Sequence, residues 1–508
     1  MTAHRPDGER DVVPRWRSVR RTLLAGEFQR LPTQRELTPH QAADIEAAAL
    51  AWQRDRDVIS ASEYVGVALV AGDSAVAGEA ASFLAEGHGG ALLAELGNRA
   101  LNPSPTAGLD HGSPTGAVAS VDSVAFVYDR LARQKARLRI DPRNPIAWAD
   151  LARRYTALGQ FERARRALSI ARGLAPLSRY LLRATTRFYV HIGEPDVAYD
   201  MLRNSSRTRA DPWLMAAMLS VGSISKARIG SLRTARCILN DDSFRPIERA
   251  DLASELATFD LRAGADRKAR VLFNRSLQTP TDNSLAQVQW ASHRLGSMEV
   301  RLDETSVAFP AEAYARSASE LGQWEEVLRH AEAWIEDQPF DNAAANIASY
   351  AASVGLEDWK RAIDFAQLGL RSQPREPILL NNLAYALLES GRVDEADAQL
   401  QLLDLKSVTD RERVALLATH GLLRFRRGDR LGGVEGYEAA IRLARQLRDP
   451  KAEEMARTML FREQITAMEP GEAAAVVKRL TEASRNLHDP ALTGVVNRVQ
   501  QMFARLGW

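Results

Sequence analysis

Cysteine is almost absent from this chain of 508 residues: Cys237 stands alone. An internal disulfide and a thiolate metal cluster are thereby excluded. Long apolar runs are absent as well, since none approaches the roughly 20 residues that a membrane-spanning helix needs. Near the N-terminus, Arg5, Arg10, Arg15, Arg17, Arg20 and Arg21 precede only a short apolar patch without a small-residue cleavage site. That is not the pattern of a secretory leader, and a cytoplasmic protein is expected. The abundance of Ala and Arg points to the GC-rich coding of a bacterial genome.

Signatures of familiar chemistry are also lacking. No Gly-rich phosphate loop, paired-histidine zinc motif or serine elbow occurs. His191, His293, His330 and His420 are isolated in helical stretches, and His488 precedes Asp489-Pro490. Isolated histidines more often pack or face solvent than bind or catalyse. Glu325-Glu326 and Asp394-Glu395 are adjacent on helices, where neighbours point apart. Neither a catalytic set, a cofactor nor a metal is expected.

What the chain does have is ordinary globular content, 45% hydrophobic and 26% charged, arranged periodically. In "WADLARRYTALGQFERARRALSIARGLAP", residues 148 to 176, Trp148, Leu151, Ala152 and Tyr155 share one helical face before Gly159 interrupts. Phe161, Ala164, Leu168 and Ala171 form a second stripe, which Pro176 ends. Ala152 and Ala164 are small where two antiparallel helices must approach, whereas Trp148 and Tyr155 are large where a next hairpin must be filled. Such a hairpin cannot bury its own faces.

Copies follow in phase. Leu182, Tyr189, Gly193, Ala198 and Leu202 repeat the scheme, with Thr185 and Thr186 as departures. Ala257, Gly264, Ala269 and Phe273 mark residues 250–283, and Tyr314, Ala315, Gly322, Trp324, Ala331 and Pro339 mark 308–341. The next copy has two extra residues between Gly355 and Ala362; Leu380, Leu383, Ala384, Leu387, Gly391, Ala396 and Leu400 then return to the pattern. A last copy surrounds Ala418, Gly421, Gly428 and Tyr437, with Gly433 where Ala is usual. The set resembles the tetratricopeptide repeat family, whose unit is about 34 residues long. The resemblance spans roughly three quarters of the chain, counting 212–240 and 284–300 as degenerate repeats, and implies an all-α solenoid of helical hairpins.

The expected organisation is a basic arm at 1–37, a degenerate hairpin unit at 38–98 and a Pro/Gly/Ser-rich linker at 99–120. A repeat array at 121–450 and capping helices at 451–508 follow. Within the arm, Trp16, Val19 and Leu23 line one side of a predicted amphipathic helix, with Arg17, Arg20 and Arg21 on another. Trp16, Arg17, Arg20 and Arg21 are therefore candidates for docking. The helix could enter a protein groove, lie on an anionic membrane or cover its own first repeat. At the other end Leu492, Val495, Val496, Val499, Met502, Phe503 and Leu506 form the stripe of a cap, which a partner-docking helix would share.

Charge is segregated beneath a formal net of +2. Residues 129–236 carry 22 Lys or Arg against 8 Asp or Glu, and residues 303–404 carry 7 against 19. Because an array converts sequence order into spatial order, an electric dipole is expected. The resemblance further implies a partner-binding groove lined by first helices: Arg153, Tyr180, Arg183, Arg187 and His191 in its basic part. Glu312, Arg316 and Glu320, then Asn346, Asn381, Asn382, Tyr385 and Glu389, line the later part. An asparagine amide both donates and accepts, so Asn346 and Asn382 suit an extended peptide backbone. The carboxylate clamp of chaperone-binding members, with its ordered Lys and Asn residues, is not found.

The expected function is a non-enzymatic scaffold, adaptor or regulatory subunit for a protein or peptide partner. Nucleic-acid binding through 129–236 is the first rival, although that segment lacks a regular aromatic platform. Salt-sensitive self-association is a second. Control of a toxic or defence effector is a variant of the adaptor reading.

Overall fold

The computed structural model describes residues 10–19; 39–101 except 72, 73 and 90; and 131–295 except 132, 133, 136, 137, 140, 226, 228 and 229. It then describes 302, 307–403, 408–465 and 468–506. The described residues are helices joined by turns, with no strand among them. Most of the 99–120 linker, and Arg20, Arg21 and Leu23 of the expected docking helix, lie outside them. Two compact units divide the chain, with the boundary at Gln287 and Val288.

The first unit covers Asp11–Gln287 with residues 307 and 308. It contains α1 (Pro39–Asp55), α2 (Val58–Ala71), α3 (Gly78–Ala85) and α4 (Ala91–Leu101). Four helices thus stand where a single degenerate hairpin is expected at 38–98. Hairpins α5 (Pro145–Ala157) with α6 (Phe161–Leu174) and α7 (Arg179–His191) with α8 (Pro195–Asn204) follow. So do α9 (Pro212–Ile224) with α10 (Leu232–Leu239), α11 (Pro246–Arg262) with α12 (Asp266–Ser276), and the start of α13 (Asp282–Leu295).

Local chemistry sets these boundaries. Asn144 caps α5 by accepting from the Ala147 amide and Ser178 caps α7 from Leu181, while Asp211 takes both Trp213 and Leu214 amides ahead of α9. Proline opens α5, α8, α9 and α11, where no helical hydrogen bond is lost. Ala152 and Ala164 are fully buried, as close antiparallel packing of α5 and α6 requires.

The second unit takes Arg10, residues 288–295 and 302, and everything described from Phe309 onward. Its hairpins are α14 (Ala311–Glu320) with α15 (Trp324–Asp337), α16 (Asn342–Tyr350) with α17 (Trp359–Ser372), and α18 (Pro377–Glu389) with α19 (Val393–Leu400). α20 (Asp410–Arg426) and α21 (Arg430–Gln446) precede the terminal α22 (Pro450–Gln464), α23 (Pro470–Leu487) and α24 (Pro490–Arg505). Leu492, Val495, Val496 and Val499 of α24 belong to the core of this unit.

Two glycines acquire roles here that the repeat pattern does not assign. Gly355 ends a π-helical turn, Ala351–Gly355, and a Cβ there would stand 2.4 Å from Trp324 Cγ. The left-handed turn position instead belongs to Glu357, at φ 57°. The two extra residues of this repeat are therefore absorbed by widening the helix end, and the turn glycine is displaced from its usual place. Gly433 replaces the usual Ala because a Cβ would lie 2.5 Å from the Phe425 ring.

Candidate functional site

In the first unit, residues 11–18 are not helical. Trp16 and Arg17 thus lie on a non-helical segment, which corrects the expected amphipathic helix at these positions. Pro14 supplies a local reason for the start of the segment only, since it pushes Val13 towards extended conformations and the Val12-Val13 pair shares that preference. The other reason is long-range.

The main chain of this segment is held by side chains from α5, α7, α11 and α13. Glu255 of α11 accepts from the Val12 amide at 3.3 Å, and Asn283 Nδ2 of α13 donates to the Val13 carbonyl at 3.1 Å. Arg153 Nε of α5 donates to the Trp16 carbonyl at 3.0 Å. Tyr180 of α7 donates its hydroxyl to the Arg17 carbonyl at 2.9 Å. Bonds to backbone atoms such as these hold a non-helical chain whatever its side chains.

Side chains add selectivity. Arg15 Nε lies 3.2 Å from Asp282 Oδ2, and Arg17 pairs with the same carboxylate. Asp282 stands in the first turn of α13, where the helix dipole also favours negative charge. Arg262 ties Asp11 at 2.7 Å. Trp16 and Arg17 are each 1% exposed, so the segment is seated rather than resting on the surface.

The other residues assigned to the basic groove have contacts elsewhere in this unit as well. Arg183 is buried over the Trp213 ring at 4.7 Å, with Asp251 3.9 Å away. His191 is buried edge-on to Phe161, and Arg187 is half-buried on α7. Sequence reasoning missed Asp282, Asn283, Glu255 and Arg262. For Glu255 a signal was present: Asp251 and Glu255 stand four apart on a first helix, so one helical face offers two carboxylates.

In the second unit, Glu312 holds Arg10 in a two-point pair, at 2.8 Å and 2.9 Å, and also takes Arg316 Nε at 2.9 Å. All three are buried. Burial and the neighbouring Arg10 charge oppose the Glu312 carboxylate, leaving Arg316 below its ordinary range. Glu320 accepts from Gln289 Nε2 at 3.0 Å.

Further along, Asn346, Asn381, Asn382 and Tyr385 are all buried. Asn382 Nδ2 donates to Ser349 Oγ at 3.0 Å. Burial lifts the Glu376 carboxyl to about 7, partly offset by its cap to the Leu379 amide. Tyr385 packs edge-on to Trp359, and burial raises its hydroxyl pKa. Glu389 joins Arg426, Arg462 and Glu463 in a charge network. Among the described residues, no cluster of His, Cys, Asp or Glu could hold a metal ion, and no helix is long and apolar enough to cross a membrane.

Among the described residues the hairpins define an all-α helical fold. No family model matches the chain, and no curated protein matches it in sequence. Among solved structures it is similar to yeast Tom70, at 14% identity over 74% of this chain and 93% of that one, with a TM-score of 0.30. It is also similar to the Cut9–Hcn1 hetero-tetramer of APC/C, at 12% identity over 91% and 93%, TM-score 0.34. Human IFIT1, solved as a dimer with PPP-AAAA, matches at 12% identity over 93% and 96%, TM-score 0.33.

Proposed function

We propose that this chain is a non-enzymatic protein-interaction scaffold, serving as adaptor or regulatory subunit, whose first-helix face holds an extended polypeptide segment. One observation carries the reading: that face already holds residues 12–17 through four side-chain bonds to backbone atoms. Helix side chains that reach for main-chain groups of a non-helical segment make a peptide-capturing surface. The basic segment gives less support to phosphate binding. Arg165 is committed to Glu194, Arg179 to Asp211 and Arg236 to Asp260, so part of its positive charge is neutralised internally.

The test uses the full chain carrying Trp16→Ala and Arg17→Ala, with fluorescence anisotropy of a labelled peptide, RDVVPRWRSV. Saturable binding that single-stranded RNA does not displace is expected. RNA binding that falls steeply with salt, together with no peptide binding, would move the function to nucleic acid.

A further inference from the structure

The segment 11–18 is chemically more specific than a packing element needs to be. A strand that only covered a helical face would be satisfied by apolar contacts. This one places two arginines, one residue apart, against the same carboxylate, Asp282. A fully buried Trp16 lies between them, and its own main chain and that of Arg17 are bonded to Arg153 and Tyr180. Paired charges, a large aromatic anchor and backbone bonds are the ingredients of a binding hot spot.

We infer that residues 11–18 are a resident stand-in for the partner, and that the partner is an extended segment carrying an arginine–aromatic–arginine triplet that must displace them. The inference rests on the scaffold reading and names its ligand. Arg15 and Arg17 define the cations required, and Asp282 is the residue that reads them. Glu255 and Asn283 hold whatever main chain lies upstream, so the identity of those upstream residues matters less. A tethered stand-in acts at an effective concentration on the order of millimolar, so it raises the apparent Kd of every competitor. Only a segment matching its chemistry, or supplied at high local concentration, enters.

The experiment compares the wild-type full chain with the full-length Trp16→Ala/Arg17→Ala variant, using labelled RDVVPRWRSV as the probe. A control peptide has both arginines corresponding to Arg15 and Arg17 replaced by Glu. The variant should bind the probe about tenfold or more tightly than wild type, and neither chain should bind the control. Equal, tight binding by both chains would overturn the inference while leaving the scaffold reading standing. No binding by either, with helical circular dichroism intact, would overturn both. If the double variant does not fold, wild type alone decides: excess probe should accelerate amide exchange in residues 11–18. Unchanged exchange at saturating probe would overturn the inference.

Discussion

Tyr180 donates its hydroxyl proton to the carbonyl of Arg17, a residue 163 positions earlier in the chain, at 2.9 Å. A helix of the repeat array thus holds main chain from the N-terminal arm. Replacing Tyr180 by Phe keeps the ring and removes that bond, a loss of about 0.5–1.5 kcal/mol. Trypsin should then cleave after Arg15 or Arg17 several-fold faster than in wild type. An unchanged cleavage rate would show that the bond does not hold the arm.

Asp282→Asn should have a larger effect. Arg15 and Arg17 are buried with this carboxylate between them, and removing one partner of a buried pair costs about 3–5 kcal/mol. The arm should leave its seat, with near-complete loss of trypsin protection at both arginines, while far-UV circular dichroism stays helical. Retained protection would mean that Asp282 is not the reader of these cations.

In the turn of the 342–372 hairpin the left-handed position falls to Glu357, and Gly355 makes room for a ring. Gly355→Ala should destabilise by about 1–3 kcal/mol in urea unfolding, because its Cβ would collide with the Trp324 ring. Glu357→Gly should be tolerated within about 1 kcal/mol: relief of the left-handed backbone offsets the exposed pair with Arg498. A severe loss at Glu357 would contradict this assignment.

Glu376 makes stability depend on pH. Its folded pKa, about 7, exceeds the ordinary carboxyl value of 4.5, so folding favours the protonated form. Below the unfolded value both states are protonated and no penalty exists; stability falls as pH rises through about 7. Glu376→Gln keeps an acceptor for the Leu379 amide and removes the titration. Its Tm relative to wild type should therefore rise between pH 5 and pH 8. A constant difference would rule out the raised pKa.

Much of the fold was legible because hairpin packing is local. Ala152, Ala164 and the turn at Gly159 lie within one short stretch, and the structure buries both alanines and gives Gly159 a φ of 68°. The arm was misread because Trp16 and Val19 satisfy helical spacing, whereas its actual partners, Glu255, Asp282 and Asn283, lie more than two hundred residues away. Periodicity carries no information about such distances. The Val12-Val13-Pro14 sequence was the local warning. The role of Gly355 was not legible for a related reason: the two-residue insertion was visible, but the π-helical turn that absorbs it packs against the Trp324 ring from the neighbouring hairpin.

The most direct measurement is amide hydrogen exchange along the arm of the wild-type full chain, followed by mass spectrometry. The account predicts protection across 12–18, with the Val12 amide held by Glu255, and loss of that protection in Asp282→Asn. Exchange of this segment at the rate of an unstructured peptide in wild type would contradict it.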